Sequence, residues 1–175
     1  MKTKLPLMVL FGLVSVGAAV AARTEKPAAT VDVTFVAPEK FTDVKDDYMD
    51  SDKGRDAVLG QLKDHLVSTA ARYLPADQRL EIKVTEVDLA GDFEPWRGPN
   101  FMDVRIVKEI YPPRVNLEFR LLGADGHVIS EGKRELRNVS YLMTGSPFPT
   151  SDPLRHDKEM LTNWLRQEFK RPARA

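Results

Sequence analysis

The sequence predicts an α+β fold, a two-layer domain in which two helices pack on one face of a mainly antiparallel sheet. Three observations carry this. Val115, Leu117, Phe119 and Leu121 alternate strictly with Arg114, Asn116, Glu118 and Arg120, as a strand buried on one face requires. Leu80, Ile82 and Val84 alternate in the same way with Glu81, Lys83 and Thr85. Two longer stretches instead repeat apolar residues every three or four positions, the period of a helix with one buried stripe. The elements follow in the order β, α, β, β, β, β, α with hairpin-like links, an order that segregates the helices to one face of a sheet.

Taken along the chain, Val31 to Phe35 alternates and stops before Pro38, which makes it a first strand. Residues 39 to 56 are the most acidic stretch and lead into a helix from Ser51 or Asp52 to Leu74. Its stripe is Val58, Leu62, Leu66, Ala70 and Tyr73, and Pro75 stops it. Ser51 or Asp52 can cap the first turn, whose unpaired amides need an acceptor. A short turn, Pro75 to Gln78, returns the chain to the Leu80 strand. The apolar positions change parity between Val84 and Val87, so this strand must bulge or switch faces before Leu89, which re-aims Asp88 and Asp92.

Gly91, Pro95, Gly98 and Pro99 break any regular element from 91 to 103. Val104, Ile106 and Ile110 predict another strand, ended by Pro112 and Pro113. The Arg114–Leu122 strand follows, then turn chemistry at Gly123-Ala124-Asp125-Gly126 and a returning hairpin partner from Val128 to Leu136, where Gly132 marks a bulge or a close neighbour. After a loop from Asn138 to Thr150, Asp152-Pro153 opens the last helix as an N-cap with proline at the first helical position; its stripe is Leu154, Leu161, Trp164, Leu165 and Phe169.

Length and composition set the class. A basic start (Lys2, Lys4), an apolar run from Leu5 to Val20 and small residues at Ala19, Ala21 and Ala22 read as a cleaved secretory signal over residues 1–22. Residues 23–30 read as a flexible leader, 31–170 as a single domain and 171–175 as a tail. The absence of Cys excludes a disulfide frame, a thiolate metal site and a thiol nucleophile, and an exported chain without disulfides fits a bacterial periplasm. The 26 Lys+Arg balance 26 Asp+Glu, so no net field draws the chain to nucleic acid or anionic lipid. No membrane insertion is expected after cleavage.

Three stretches laid out in order resemble a known family: VTEVDLAGDFEPWR (Val84 to Arg97), RIVKEIYPPRVNLEFRLL (Arg105 to Leu122) and SDPLRHDKEMLTNW (Ser151 to Trp164), with GRDAVLGQLKDHLVSTAARYLP (Gly54 to Pro75) adding to the likeness. The resemblance is to the uncharacterised proteobacterial family known as domain of unknown function 3016. It implies an exported bacterial protein and no particular activity. Where the family pattern leads one to expect Tyr after Leu-Arg in the last helix, this chain has His156, which argues against His156 as a catalytic base or metal ligand.

Candidate chemistry is sparse. The acidic run Asp46 to Lys53 invites a calcium reading, but a loop started at Asp50 has Gly54 where an acid is wanted and Gln61 where a bidentate Glu belongs, so a solvated acidic loop is the expectation and no metal is expected. Asp88, Asp92 and Glu94 cluster around Gly91 and could serve as paired acid and base, although strand-end acids also bond turn amides or pair with a nearby Arg97 or Arg105. Phe93, Trp96, Arg97 and Tyr111 form an aromatic and arginine cluster on irregular segments, the residue types that interfaces use; the plain account is that these rings roof the core. His65 reads as a packed mid-helix residue and His127 as a solvated turn residue. No HExxH, GxSxG or Gly-rich phosphate loop occurs, so no catalytic residue and no cofactor is assigned. The expectation is a non-enzymatic envelope module that binds a protein or small ligand through Asp88, Asp92, Trp96, Arg97 and Tyr111. The alternative is a hydrolase on envelope polymers that uses the Asp88 and Asp92 carboxylates.

Overall fold

The computed structural model describes residues 29–49, 51–143 and 145–169. The signal at 1–22, the leader up to residue 28, Asp50 of the acidic run and the tail at 171–175 lie outside the described residues. Within them the fold is α+β: β1 (Thr30–Phe35), α1 (Asp52–Ala70), β2 (Arg79–Asp88), β3 (Asp92–Phe93), β4 (Arg105–Ile106), β5 (Arg114–Leu122), β6 (Val128–Arg137) and α2 (Arg155–Phe169).

Four strands form the main sheet in the order β1-β2-β5-β6. The β2–β5 and β5–β6 pairs are antiparallel, whereas β1 lies parallel to β2, from Thr30 against Arg79 to Phe35 against Val84. A parallel pair cannot be closed by a tight hairpin, so the whole of α1 serves as the crossover between β1 and β2. The side chain of Ser51 accepts the Gly54 amide at 3.0 Å and caps α1, and the helix gives way after Ala70 to a turn before Pro75, four residues earlier than its periodicity predicts.

One face of the sheet is apolar. Leu80, Ile82, Val84 and Val87 of β2 and Val115, Leu117 and Phe119 of β5 are almost fully buried against Leu62 and Leu66 of α1 and Leu161 and Leu165 of α2. Each such side chain contributes roughly 1.5–3 kcal/mol by leaving water. Phe119, Trp164 and Phe169 meet edge to face with centroids 5.5–6.0 Å apart, the arrangement that ring quadrupoles favour. The helices join through His65, whose Nε2 lies 2.9 Å from the Thr162 hydroxyl and 3.0 Å from the Lys158 carbonyl. Gly132 has a close neighbour: a Cβ there would meet the Arg134 guanidinium at 2.7 Å, because Arg134 folds over the Phe119 ring to reach Glu168.

A shift of register between Val84 and Glu86 returns Val87 to the core and leaves Asp88 on the opposite, open face. The expected strand over Val104–Ile110 is reduced to Arg105–Ile106, which pairs with Asp92–Phe93 in a separate two-stranded ribbon. Val104 and Ile110 face solvent, so no buried face exists to extend that strand.

Candidate functional site

Two ionic hubs organise the end of the sheet where β2 gives way to the ribbon. The first is Arg105. Its guanidinium donates to both Asp43 oxygens at 2.6 and 3.1 Å, to the Gly91 carbonyl at 2.9 Å and to the Lys45 carbonyl at 2.8 Å, while lying 4.7 Å from the centre of the Phe93 ring. A planar fork of fixed donors suits such multiple contacts and fixes three backbone segments at once. Gly91 makes the approach feasible: its φ is +81°, and a Cβ there would lie 2.9 Å from the Ile106 carbonyl oxygen.

Glu94 is the second hub. Its side chain is only 2% exposed, yet it receives the Lys108 ammonium at 2.5 Å, the Tyr111 hydroxyl at 3.0 Å and the Arg97 guanidinium. The Lys108 bond, with those from Arg97 and Tyr111, outweighs burial and holds the Glu94 carboxyl down at about 2. Burial and the bond to Glu94 in turn raise the Tyr111 hydroxyl above its ordinary value. Lys108 is fixed from behind, because the buried Tyr141 hydroxyl donates to its carbonyl at 2.6 Å.

Of the five candidate binding residues, three share a concavity. Asp88, Asp92 and Tyr111 line a cleft of about 330 Å³ whose other walls include Asp43, Lys45, Ile110, Arg114 and Arg137. Asp88 pairs with Arg114 at 3.2 Å and not with Arg97 or Arg105. Burial pushes the Asp88 carboxyl above its usual range against the pull of Arg114, with Asp43, Glu86 and Asp92 adding repulsion. One Asp92 oxygen accepts the Phe93 amide at 2.7 Å, a turn bond. Trp96 and Arg97 lie outside the cleft, on a single helical turn over Pro95–Arg97, where Trp96 is 72% exposed. Phe93, by contrast, is buried, with the Arg105 guanidinium over its ring.

In the sequence Glu94 is one of three loop acids with nothing to set it apart, and Lys108, Asp43, Arg114 and Arg137 carry no motif that marks them as site residues. Alternation along the Arg114 strand does put Arg114 on the face opposite its core residues, the face that Asp88 takes after the bulge; the pairing that joins them depends on register. Among the described residues, no group of three or more His, Cys, Asp or Glu side chains could hold a metal ion, and no helix is long and apolar enough to cross a membrane. His156 is buried against Tyr141, with ring centroids 4.8 Å apart and both nitrogens without a partner; His127 is exposed beside Asp125.

The model of the family described as protein of unknown function (DUF3016) matches residues 29–167. The chain belongs to this family. The match takes in β1 through nearly all of α2, so both hubs and the cleft fall within the DUF3016 region. No curated protein matches the chain significantly. Among solved structures, a PelC variant dodecamer from Paraburkholderia phytofirmans is similar at a TM-score of 0.41 and 13% identity, covering 84% of this chain and 88% of that chain.

Proposed function

We propose that this DUF3016 member is an exported binding module of the bacterial envelope, delivered to the periplasm by a cleaved signal over residues 1–22, and that it recognises its partner or ligand through the sheet end that carries Trp96, Arg97 and Tyr111. The observation that supports the reading is the pairing of an indole 72% exposed with a turn held by buried charge. A large aromatic left in water gains nothing for folding, whereas Glu94 and its three partners fix the turn that presents it. Rigid aromatic and arginine anchors of this kind dominate binding energy at interfaces. The test is photo-crosslinking in cells from position 96, with an exposed control position such as Ile129, together with fractionation. A specific crosslinked envelope component in the periplasmic fraction is the expected result. Mature protein confined to the cytoplasm, or crosslinks identical at both positions, would end the reading.

A second reading is favoured by one observation: Asp88 and Asp92 share a cleft, and Asp88 holds its proton more tightly than an ordinary carboxyl, as a general acid requires. Under it the protein hydrolyses an envelope polymer. Asp88→Asn and Asp92→Asn would each abolish release of soluble fragments from isolated envelopes, and wild-type protein that releases none would eliminate it.

A further inference from the structure

The cleft at the sheet end has a floor with a charge order. Asp43 bridges to Asp88, Asp88 stands opposite Arg114, and Arg114 stands opposite Arg137, so four adjacent chain segments contribute one row that reads acid, acid, base, base. All four residues line the cleft. Directly opposed like charges destabilise a sheet, and this row contains two such pairs. The middle contact, Asp88 with Arg114 at 3.2 Å, offsets part of that cost, and Arg105 neutralises Asp43 from below. Nothing offsets the basic end. Among the described residues, Arg137 forms no ion pair, Asp92 beside Asp88 bonds only the Phe93 amide, and Arg114 leaves its buried Nε proton without an acceptor.

We infer that this cleft binds a small dipolar molecule, with a carboxylate on the Arg114–Arg137 side and an ammonium on the Asp88–Asp92 side. Asp43 is neutralised by Arg105 and has Lys45 beside it in the chain, which leaves Asp88 and Asp92 as the acid side and Arg114 and Arg137 as the basic side, so the cleft carries little net charge but a field along the row. Such a site discriminates against a bare anion or a bare cation, each of which meets repulsion at one end. Separation follows from the sheet: the backbones of Asp88 and Arg137 are two strand spacings apart, roughly 10 Å, with the Asp88–Arg114 ion pair between them. That span suits an ammonium and a carboxylate joined by several methylenes better than an α-amino acid, and Ile110, exposed at the cleft wall, offers apolar surface to the methylene stem. The volume, about 330 Å³, is at the small end of ligand sites. The chemistry is shared by a free ω-amino acid and by a lysine at the carboxyl end of a peptide.

The inference rests on reading this end of the sheet as a recognition surface, and calorimetric titration of the mature protein separates the two. The probes are 6-aminohexanoate, an acetylated tripeptide ending in Lys, hexanoate, hexylammonium and glycine. 6-Aminohexanoate should saturate the protein and bind about tenfold or more tightly than hexanoate, hexylammonium or glycine, each tenfold step being about 1.4 kcal/mol. Tighter binding of the tripeptide assigns the ligand to a peptide end, and weaker binding assigns it to the free molecule. Arg137→Gln and Asp92→Asn should each weaken 6-aminohexanoate about tenfold, whereas Ile129→Ala, exposed and outside the cleft, should leave it unchanged. Loss of the position-96 crosslink with 6-aminohexanoate binding intact would defeat the partner reading and leave the cleft standing. Hexanoate binding as well as 6-aminohexanoate, or no saturable binding of either zwitterionic probe to a folded wild-type protein, would overturn the inference.

Discussion

Arg97 and Tyr111, fourteen residues apart in sequence, grip opposite oxygens of the same buried carboxylate: the Arg97 guanidinium bonds Oε2 of Glu94 and the Tyr111 hydroxyl bonds Oε1. The turn that presents Trp96 is thus braced from the far side of the ribbon, and its geometry depends on one ionised side chain.

Glu94→Gln therefore lowers stability at neutral pH and loosens the turn. The folded carboxyl titrates at about 2 against an ordinary 4.5, so its contribution is complete above about pH 4.5 and is lost as pH falls toward 2. Thermal melts from pH 7 to 2.5 should show wild type and variant converging in acid, and hydrogen exchange of the 95–98 amides should be faster in the variant at pH 7 only.

Two neighbours in α2 pull the other way from each other. Complete burial raises Asp157 to about 7, with the Ala90 amide on one oxygen and no partner on the other. An acid that keeps its proton longer when folded loses stability as pH rises from about 4 to 7. His156 is held neutral by burial, so it loses stability as pH falls below 6.5, as His65 does. The wild-type profile is flattened by the opposition. Asp157→Asn, which keeps an acceptor for the Ala90 amide, should gain on the order of a few kcal/mol at pH 8 and expose the histidine slope. His156→Phe should gain about 1 kcal/mol, because two unpaired buried nitrogens are removed and ring packing on Tyr141 is kept. Urea titrations at several pH values check both.

Gly91→Ala places a Cβ against the Ile106 backbone and forces alanine into a left-handed conformation. The expected cost is roughly 1–3 kcal/mol by urea denaturation. Gly126→Ala, where the same φ sign meets open space, should cost no more than the backbone term alone, so the difference between the two isolates the Ile106 contact.

Leu62→Ala should cost about 2–5 kcal/mol, since the side chain is 1% exposed beneath the sheet. Trp96→Ala should change stability by no more than about 0.5 kcal/mol. A larger effect at Trp96 would show that the indole belongs to the core and would remove the main support for a recognition role.

Where side chains had a buried face to reveal, the sequence was readable. β5 and β2 follow from alternation, the register shift at Thr85 from a change of parity, and both helices from their stripes. The parallel partnering of β1 was not, because alternation records which side chains are buried and carries no information on strand direction. The 91–111 segment failed for a related reason. Its structure is held by Arg105, Glu94, Lys108 and Tyr111 acting across gaps in the chain, and charges that pair at a distance leave no period. Asp88 was legible as a re-aimed acid, but its partner Arg114 emerged only with register, and the like-signed neighbour Arg137 with it.

The order of the sheet also dictates a timetable. β5 and β6 can zip through a short turn, and β2 can join them over a modest loop, but Trp164, Leu165 and Phe169 sit on the last element and complete the packing over β5. Contacts between distant parts of a chain form late, because closing the intervening loop costs entropy before any contact rewards it. α2 is thus made after the sheet it covers, and the apolar interior cannot seal until α2 has been synthesised.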